Sequence, residues 1–425
     1  MKPSVTLCMI VKDETHIIEE CLKSMAKYVD RYDITDTGST DGTQDLIKKT
    51  MEELGVTGEV YQSDWKGFGD HAGKIGSRTE SLINAKKGGA DYAWVIDADD
   101  YIVGDFKFPE SMDLDGYALQ IGREEFMWWR NQIFKLSSGW SYKGILHEYA
   151  FCEKPKEETQ LGRIAGNYRI NARTQGNRNV GITPIEKYTR DAEVLKNALV
   201  DEPTNDRYQF YLAQSYFDSQ QWEKSYDAYS KRIEMGGWPE EVYYSYLRCA
   251  IIKGIQEKPI EEVAAAFLDA FNARPTRAEP LWYVSRLYRQ NNKPAVAYIY
   301  ANMALNIPYP KDDILFIQSD VYKWGILDEI GATAFYANQP HVGYHACKRL
   351  IEEKIIPEPH YPRIMQNFRS YENVLKQHHA NLAVQEMKEK EEAKMIKKQQ
   401  KMNNKNTNKK STKVPQRTGF KKRSK

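Results

Sequence analysis

The chain has 425 residues, of which 41% are hydrophobic, enough for two or three domains with ordinary cores. Residues 394–425 carry 13 Lys or Arg and no Asp or Glu. Because the whole chain has a net charge of +2, the remaining residues together carry a net charge of −11. A basic tail on an acidic body argues against a specific nucleic-acid-binding domain. No run approaches the roughly 20 apolar residues that span a bilayer.

The five cysteines are far apart in the chain and form no CxxC motif, which predicts free thiols in a reducing compartment. Cys8 lies within an apolar run and is expected to be buried. The first residues contain too short an apolar stretch for a secretory signal. We therefore expect a soluble, cytoplasmic protein.

The first 180 residues alternate strand and helix patterns. The continuous apolar run from Val5 to Val11 predicts a strand buried on both faces, and residues after Ile17 repeat at helical spacing. Further strands are predicted at 32–35, 58–61 and 92–96, with helices from about 41 and 78. This order predicts a parallel sheet with helices on both faces, and shorter hairpin-like strands between 115 and 170.

Polar residues follow three of these strands. Lys12, Asp36 and Asp97 fall at the carboxyl ends of predicted parallel strands. Ligands of open α/β sheets bind beyond such ends. The three positions therefore predict one shared ligand site.

Asp36 opens the polar turn that ends at Gly42. Its carboxylate could accept hydrogen bonds from a nucleobase or ribose, and the glycines allow a ligand to approach the backbone. A plain helix-capping turn explains Ser39 to Asp41, but it does not explain an aspartate at the strand end.

Asp97 and Asp99 come directly after an apolar strand. Carboxylate oxygens suit Mg²⁺ or Mn²⁺, and an ion bound largely through substrate phosphates needs only one or two of them. The alternative is a charged loop that caps the next helix.

His147 and Glu148 follow a Trp-rich strand. The histidine could be a further metal ligand, and the glutamate could deprotonate an acceptor hydroxyl as the catalytic base. Glu124 and Glu125 are weaker candidates for the base. The alternative for His147 is a histidine satisfied by backbone within a hairpin.

Four short motifs accompany these strands and the helix that begins near residue 78. They are LCMIVKDE (7–14), DTGSTDGT (36–43), RTE (78–80) and IDADD (96–100). Together they resemble an inverting family 2 glycosyltransferase of the GT-A fold, over roughly residues 4–150. The resemblance implies that Asp36 and the backbone at Val11 hold the nucleoside and that Arg78 faces the diphosphate. It also implies that Asp97 lies near the ribose and metal and that Asp99 binds the metal.

The chain turns helical after Thr183, which precedes Pro184 and has Glu186 three residues on, the pattern of a capping box. Leu212, Ala213 and Tyr216 match a tetratricopeptide (TPR) pattern, and similar residues recur about 34 positions later. We expect a GT-A domain at 1–180, TPR-like helical repeats at 181–378 and a disordered Lys-rich tail at 379–425.

These patterns predict an α/β GT-A domain followed by an all-α solenoid. The expected function is a metal-dependent hexosyltransferase that moves a sugar from a nucleotide sugar to a hydroxyl of a glycan or protein acceptor presented by the repeats. A UDP-sugar is the expected donor. Two alternatives stay open: a sugar nucleotidyltransferase, and a TPR-type scaffold or binding protein with a degenerate transferase domain.

Overall fold

The computed structural model describes residues 3–123, 126–173, 175–176 and 181–410. Its contacts divide the chain into two compact units, Met1–Gln256 and Glu257–Lys425. Each unit is treated by itself below.

The strands of the described residues belong to the first unit. They are β1 Val5–Val11, β2 Arg31–Asp36, β3 Thr57–Gln62, β4 Tyr92–Val95, β5 Tyr101–Gly104, β6 Gly116–Arg123, β7 Phe126–Lys135, β8 Trp140–Lys143, β9 Tyr149–Cys152, β10 Leu161–Arg163 and β11 Tyr168–Asn171.

The helices occur in both units. The first unit contains α1 Ile18–Met25, α2 Thr43–Glu53, α3 Ser77–Lys87, α4 Pro184–Asp201, α5 Asp206–Asp218, α6 Trp222–Met235 and α7 Pro239–Ile255. The second contains α8 Ile260–Ala273, α9 Glu279–Gln290, α10 Pro294–Leu305, α11 Ile326–Thr333, α12 Pro340–Glu352 and α13 Tyr361–Lys410.

The main sheet has the order β3-β2-β1-β4-β7-β6-β11-β5, with β10 beside β6. Strands β3, β2, β1 and β4 run parallel. Beyond β4, where hairpin-like strands were predicted, β7 pairs antiparallel with both β4 and β6. Only two residues separate β6 from β7 in sequence, and so short a connection can join only antiparallel strands. The sheet is therefore mixed.

Both faces of the parallel part are covered, as predicted. Alternate residues of β1, such as Leu7 and Met9, pack with α1 and α2, whereas Cys8 packs with Leu82 and Ala85 of α3. Cys8 is fully buried, and burial raises the pKa of its thiol to about 12. Burial on two faces is why β1 is continuously apolar.

Helix α4 begins at the predicted capping box. Thr183 Oγ1 accepts from the backbone N–H of Glu186, and the Glu186 carboxylate accepts from the backbone N–H of Thr183. The four helices α4 to α7 pack as successive neighbours. They complete the first unit.

A buried ion network lies in the second unit. Arg277 and Glu279 are both fully buried, with Arg277 Nη2 2.7 Å from Glu279 Oε1. Arg277 Nη1 also lies 3.3 Å from Asp313 Oδ2, and the Tyr322 hydroxyl donates to Glu279 Oε2. The network joins the start of α9 to residues that follow α10.

The tail differs from the expectation of disorder. Helix α13 continues through Lys410, and residues 411–425 lie outside the described part of the chain. Its first turns are anchored by Ile364 and Tyr371, which are buried against α11 and α12. Lys, Glu and Gln are good helix formers, so a low content of large apolar residues did not prevent a helix here.

Candidate functional site

A cavity of about 1020 Å³ opens at the carboxyl ends of the parallel strands. Its floor includes Val11 and Lys12 after β1, Thr37 after β2, and Asp97 and Asp99 after β4. The loop at 65–74, the turn at 145–146, helix α4, and Glu14, Arg173 and Gly176 supply further walls. Two of the three predicted strand-end residues, Lys12 and Asp97, line this cavity, whereas Asp36 is not among its lining residues.

The loop at 65–74, on one side of this cavity, is held in place by hydrogen bonds and an ion pair. The Asp70 N–H donates to the Tyr142 carbonyl at 2.6 Å, and Lys143 Nζ lies 2.9 Å from Asp70 Oδ2. A side chain at Gly76 would place its Cβ 2.3 Å from the backbone of Gly69. Glycine is therefore required for the close approach of these two segments.

Arg78 is the central cation of the cavity, and it is 6% exposed. Its Nη2 donates to Asp97 Oδ1 at 2.6 Å, and its Nε lies 2.6 Å from Glu148 Oε1. Burial alone would lower the pKa of Arg78, but the Asp97 and Glu148 carboxylates raise it above its ordinary value. Glu148, the predicted base, is thus held in an ion pair with a buried guanidinium.

The aspartates after β4 have three different environments. Burial would raise the pKa of Asp97, but Arg78 and Arg130 hold it well below its ordinary value. Asp99 Oδ2 accepts the backbone N–H groups of Gln175 and Gly176. Burial, together with the charge of Asp97, raises the pKa of Asp100 to about 7.

Asp36 lies at the end of β2 and is 1% exposed. Its Oδ1 accepts from the N–H groups of Gly38 and Ser39 and from the Gln44 side chain, whereas Oδ2 is buried without a hydrogen-bond partner. The Val11 carbonyl already accepts from Thr37. Asp36 therefore has one carboxylate oxygen left for a further donor.

His147 is not among the residues that line the cavity. Its ring stacks on Tyr211 of α5 with 3.9 Å between centroids, and its carbonyl accepts from Arg207 at 2.9 Å. These two contacts connect the turn after β8 to α5. The other candidates for the base, Glu124 and Glu125, lie outside the described residues.

The predicted metal ligands do not form a preformed ion site. Asp97 is paired with two arginines, Asp99 accepts two backbone N–H groups, and His147 stacks on α5. Within the described ranges, no group of three His, Cys, Asp or Glu side chains could hold a metal ion. A Mg²⁺ or Mn²⁺ ion stays a prediction that depends on additional oxygen ligands.

Two arginines in this unit were missed by sequence reasoning. Arg173 lines the cavity, donates through Nε to the Asp99 carbonyl, and has a buried Nη2 without a hydrogen-bond partner. Arg248 of α7 lies between aromatic rings of the helical segment. Neither belongs to a short motif, so only the folded arrangement identifies them.

The chain was compared with known proteins. No family model matches it. A TPR repeat-containing protein of Synechococcus elongatus is 31% identical over 99 residues, which is 23% of this chain and 21% of the relative. The match thus spans about a fifth of the curated relative's length.

Solved structures similar to the chain include repeat proteins. MamA covers 40% of this chain and 90% of its own length, at 12% identity and a TM-score of 0.32. YrrB, described as a TPR protein with an unusual peptide-binding site, covers 43% and 84%, at 10% identity and a TM-score of 0.31. These scores are too low to carry an argument about the whole fold.

The curated relative corrects the main functional prediction. It is a TPR-repeat protein, and no glycosyltransferase was found among the similar proteins reported above. The family 2 glycosyltransferase assignment, the GT-A fold class and the hexosyltransferase activity are therefore wrong. The motifs at 36–43 and 96–100 are short, and a polar turn after a strand occurs for structural reasons alone. The TPR repeat pattern itself is supported.

Among the helices of the described ranges, none is long and apolar enough to cross a membrane.

Proposed function

We propose that this protein is a TPR-type binding protein whose helical segment holds a peptide of a partner protein. Helix pairs begin at 206, 239 and 279, near the period of TPR units. Small residues predicted at helix contacts, including Ala297, Ala301 and Ala304, are buried. The TPR relative supports the same reading.

The observation that carries the proposal is the environment of Arg248. Its guanidinium carbon lies 4.1 Å from the ring centroid of Phe217 on α5 and 4.8 Å from that of Tyr244 on α7. Its Nε is buried without a hydrogen-bond partner. A buried donor left unpaired costs free energy, and a ligand acceptor would recover it.

Neighbouring polar groups complete this α5–α7 face. Gln214 donates to both oxygens of Asp218, and the Tyr229 hydroxyl donates to Gln214. Burial raises the pKa of Asp218 above its ordinary value. The face thus offers one stacked arginine, aromatic surface and fixed polar groups, which suits a peptide with a carboxylate next to an apolar side chain.

The Arg248→Ala variant tests this site. Peptides selected on the full chain from a random library are expected to bind it at least about tenfold more weakly, because a hydrogen bond to a charged group contributes about 1.5–3 kcal/mol. Fluorescence polarisation with labelled peptides measures the change. Arg248→Lys is expected to retain part of the affinity, since it keeps the charge but not the planar donors.

The matched control is Arg190→Ala, which removes an exposed arginine of α4. It is expected to leave peptide affinity unchanged. Equal affinity of the Arg248→Ala variant and the parent chain for every selected peptide would contradict the site, as would a library that yields no binder.

A second binding function is favoured by the cavity of the first unit. We propose that it binds a small phosphate-bearing molecule. Support comes from the positive side chains along it and from the unpaired Nη2 of Arg173. The cations along the cavity are Lys12, Lys66, Lys74, Arg78 and Arg173. A Mg²⁺ or Mn²⁺ ion would enter with the ligand and use its phosphate oxygens.

Pyrophosphate is a suitable first probe for this cavity. It is expected to raise the thermal midpoint of the full chain, and the rise should shrink in Lys12→Met but not in Lys49→Met, which alters an exposed lysine of α2. Differential scanning fluorimetry with and without Mn²⁺ measures the shift. Identical shifts in all three proteins would contradict binding in the cavity.

A cytoplasmic location belongs to the same proposal. All five cysteines are free thiols, which supports a reducing compartment.

A further inference from the structure

The second half of α13 is a solvent-exposed helix. Every residue from Lys376 to Met402 is exposed, a span of about 40 Å at 1.5 Å per residue. Exposed large apolar residues recur along it, with exposed fractions from 45% to 71%. They are Leu382, Val384, Met387, Met395, Ile396 and Met402. Four of them, Val384, Met387, Met395 and Met402, fall on one face of the helix at about 100° per residue, and this face is a surface that another helix can cover.

The charges on this segment are divided into two blocks. Residues 386–392 contain four Glu and two Lys, whereas residues 394–401 contain four Lys and no acidic residue. Within the acidic block, Lys390 Nζ lies 3.6 Å from Glu386 Oε2, one turn earlier. No acidic side chain is available at that spacing within the Lys block itself. The charge pattern of this segment is therefore complementary to that of a second copy that runs in the opposite direction.

We propose that two copies of this chain associate through this segment of α13, paired antiparallel about Ala393. In that arrangement the Glu block of each copy faces the Lys block of the other, and Val384 lies near Met402 of the second copy. A parallel arrangement would place like charges opposite each other. Charges at the edges of a helix pair select the partner and its orientation, and the apolar residues supply the buried area.

Sedimentation equilibrium of the full chain tests the association. The mass is expected to rise from 49.3 kDa towards twice that value as concentration increases. Reversing the Lys block (Lys394→Glu, Lys397→Glu, Lys398→Glu and Lys401→Glu together) should abolish the rise. Reversing the Glu block (Glu386→Lys, Glu389→Lys, Glu391→Lys and Glu392→Lys) should do the same. An equimolar mixture of the two variants should recover the dimer, because the charges are again opposite.

Cross-linking determines the orientation. Ala393→Cys is expected to form a disulfide-linked dimer under mild oxidation, because antiparallel pairing brings the two copies of position 393 together. Gln385→Cys is the matched control, since its two copies would be about 24 Å apart along the axis. Circular dichroism of each variant verifies that the helix is retained.

Three results would overturn the proposal. One is a mass of 49.3 kDa at protein concentrations on the order of 100 µM, where a micromolar dimer would be well populated. Another is a dimer that persists in both charge-reversal variants. The third is a wild-type chain that stays monomeric but binds vesicles of anionic lipid, which would assign the Lys block to a membrane surface instead.

Discussion

Replacement of Arg277 with methionine is expected to lower the free energy of unfolding by about 3–5 kcal/mol, because it leaves the fully buried carboxylate of Glu279 without its cation. Water cannot substitute for the lost guanidinium at that depth, whereas Asp313 keeps its ion pair with Arg274. The side chain also donates to the carbonyls of Leu315 and Phe316. Urea titration followed by tryptophan fluorescence measures the change.

Two further variants test whether the loss of stability comes from the buried charges. Lys293→Met removes an exposed ion pair with Glu261 and is expected to cost less than about 1 kcal/mol. The double variant Arg277→Met/Glu279→Leu removes both fully buried charges and should recover part of the loss. A loss for Arg277→Met no larger than that of Lys293→Met would show that the buried network does not stabilise the second unit.

Replacement of Arg78 with methionine is expected to lower the free energy of unfolding of the first unit by about 3 kcal/mol at pH 7, because Asp97 and Glu148 lose their shared cation. Arg130 Nη1, 3.5 Å from Asp97 Oδ2, compensates only one of the two carboxylates. The matched control is Arg163→Met, since Arg163 is exposed and stacks on Trp129.

The effect of Arg78→Met should depend on pH in a definite direction. In the parent chain the pKa of Asp97 is depressed below its ordinary value of 3.8. The ion pair therefore stabilises the fold above that value, and this contribution is lost as the pH falls through the lowered pKa. The difference between parent and variant should shrink in unfolding experiments below pH 4. A difference independent of pH would contradict the electrostatic explanation.

Local patterns predicted the elements of the first unit well. The apolar run at β1 and the capping box at α4 have the predicted bounds, because each depends on neighbours in sequence. The antiparallel position of β7 between β4 and β6 depends on pairing across 40 residues, which no local pattern specifies. The continuation of α13 beyond residue 378 was missed because composition was interpreted as disorder.

The candidate site was predicted in part for the same reason. Strand ends correctly placed Lys12 and Asp97 at one cavity, but Asp36 is not among its lining residues. Val11, Arg78 and Asp99, which were predicted from short motifs, lie there too. The ion pair between Arg78 and Glu148 joins residues 70 positions apart, and the stack of His147 on Tyr211 depends on α5. The predicted function was wrong because it depended on a resemblance of short motifs. The predicted repeat pattern, by contrast, is supported by a relative.

The pairing of the main sheet has a consequence for how the chain folds during synthesis. β4 leaves the ribosome about 40 residues before its partner β7. β5 can pair only after β11 has been synthesised. Until then the parallel strands expose an unpaired edge, which other chains can join. Non-local pairing of this kind slows folding, whereas neighbouring helices of the second unit pack on each other as they emerge. A nascent chain halted near residue 110 would therefore be the species most in need of a chaperone.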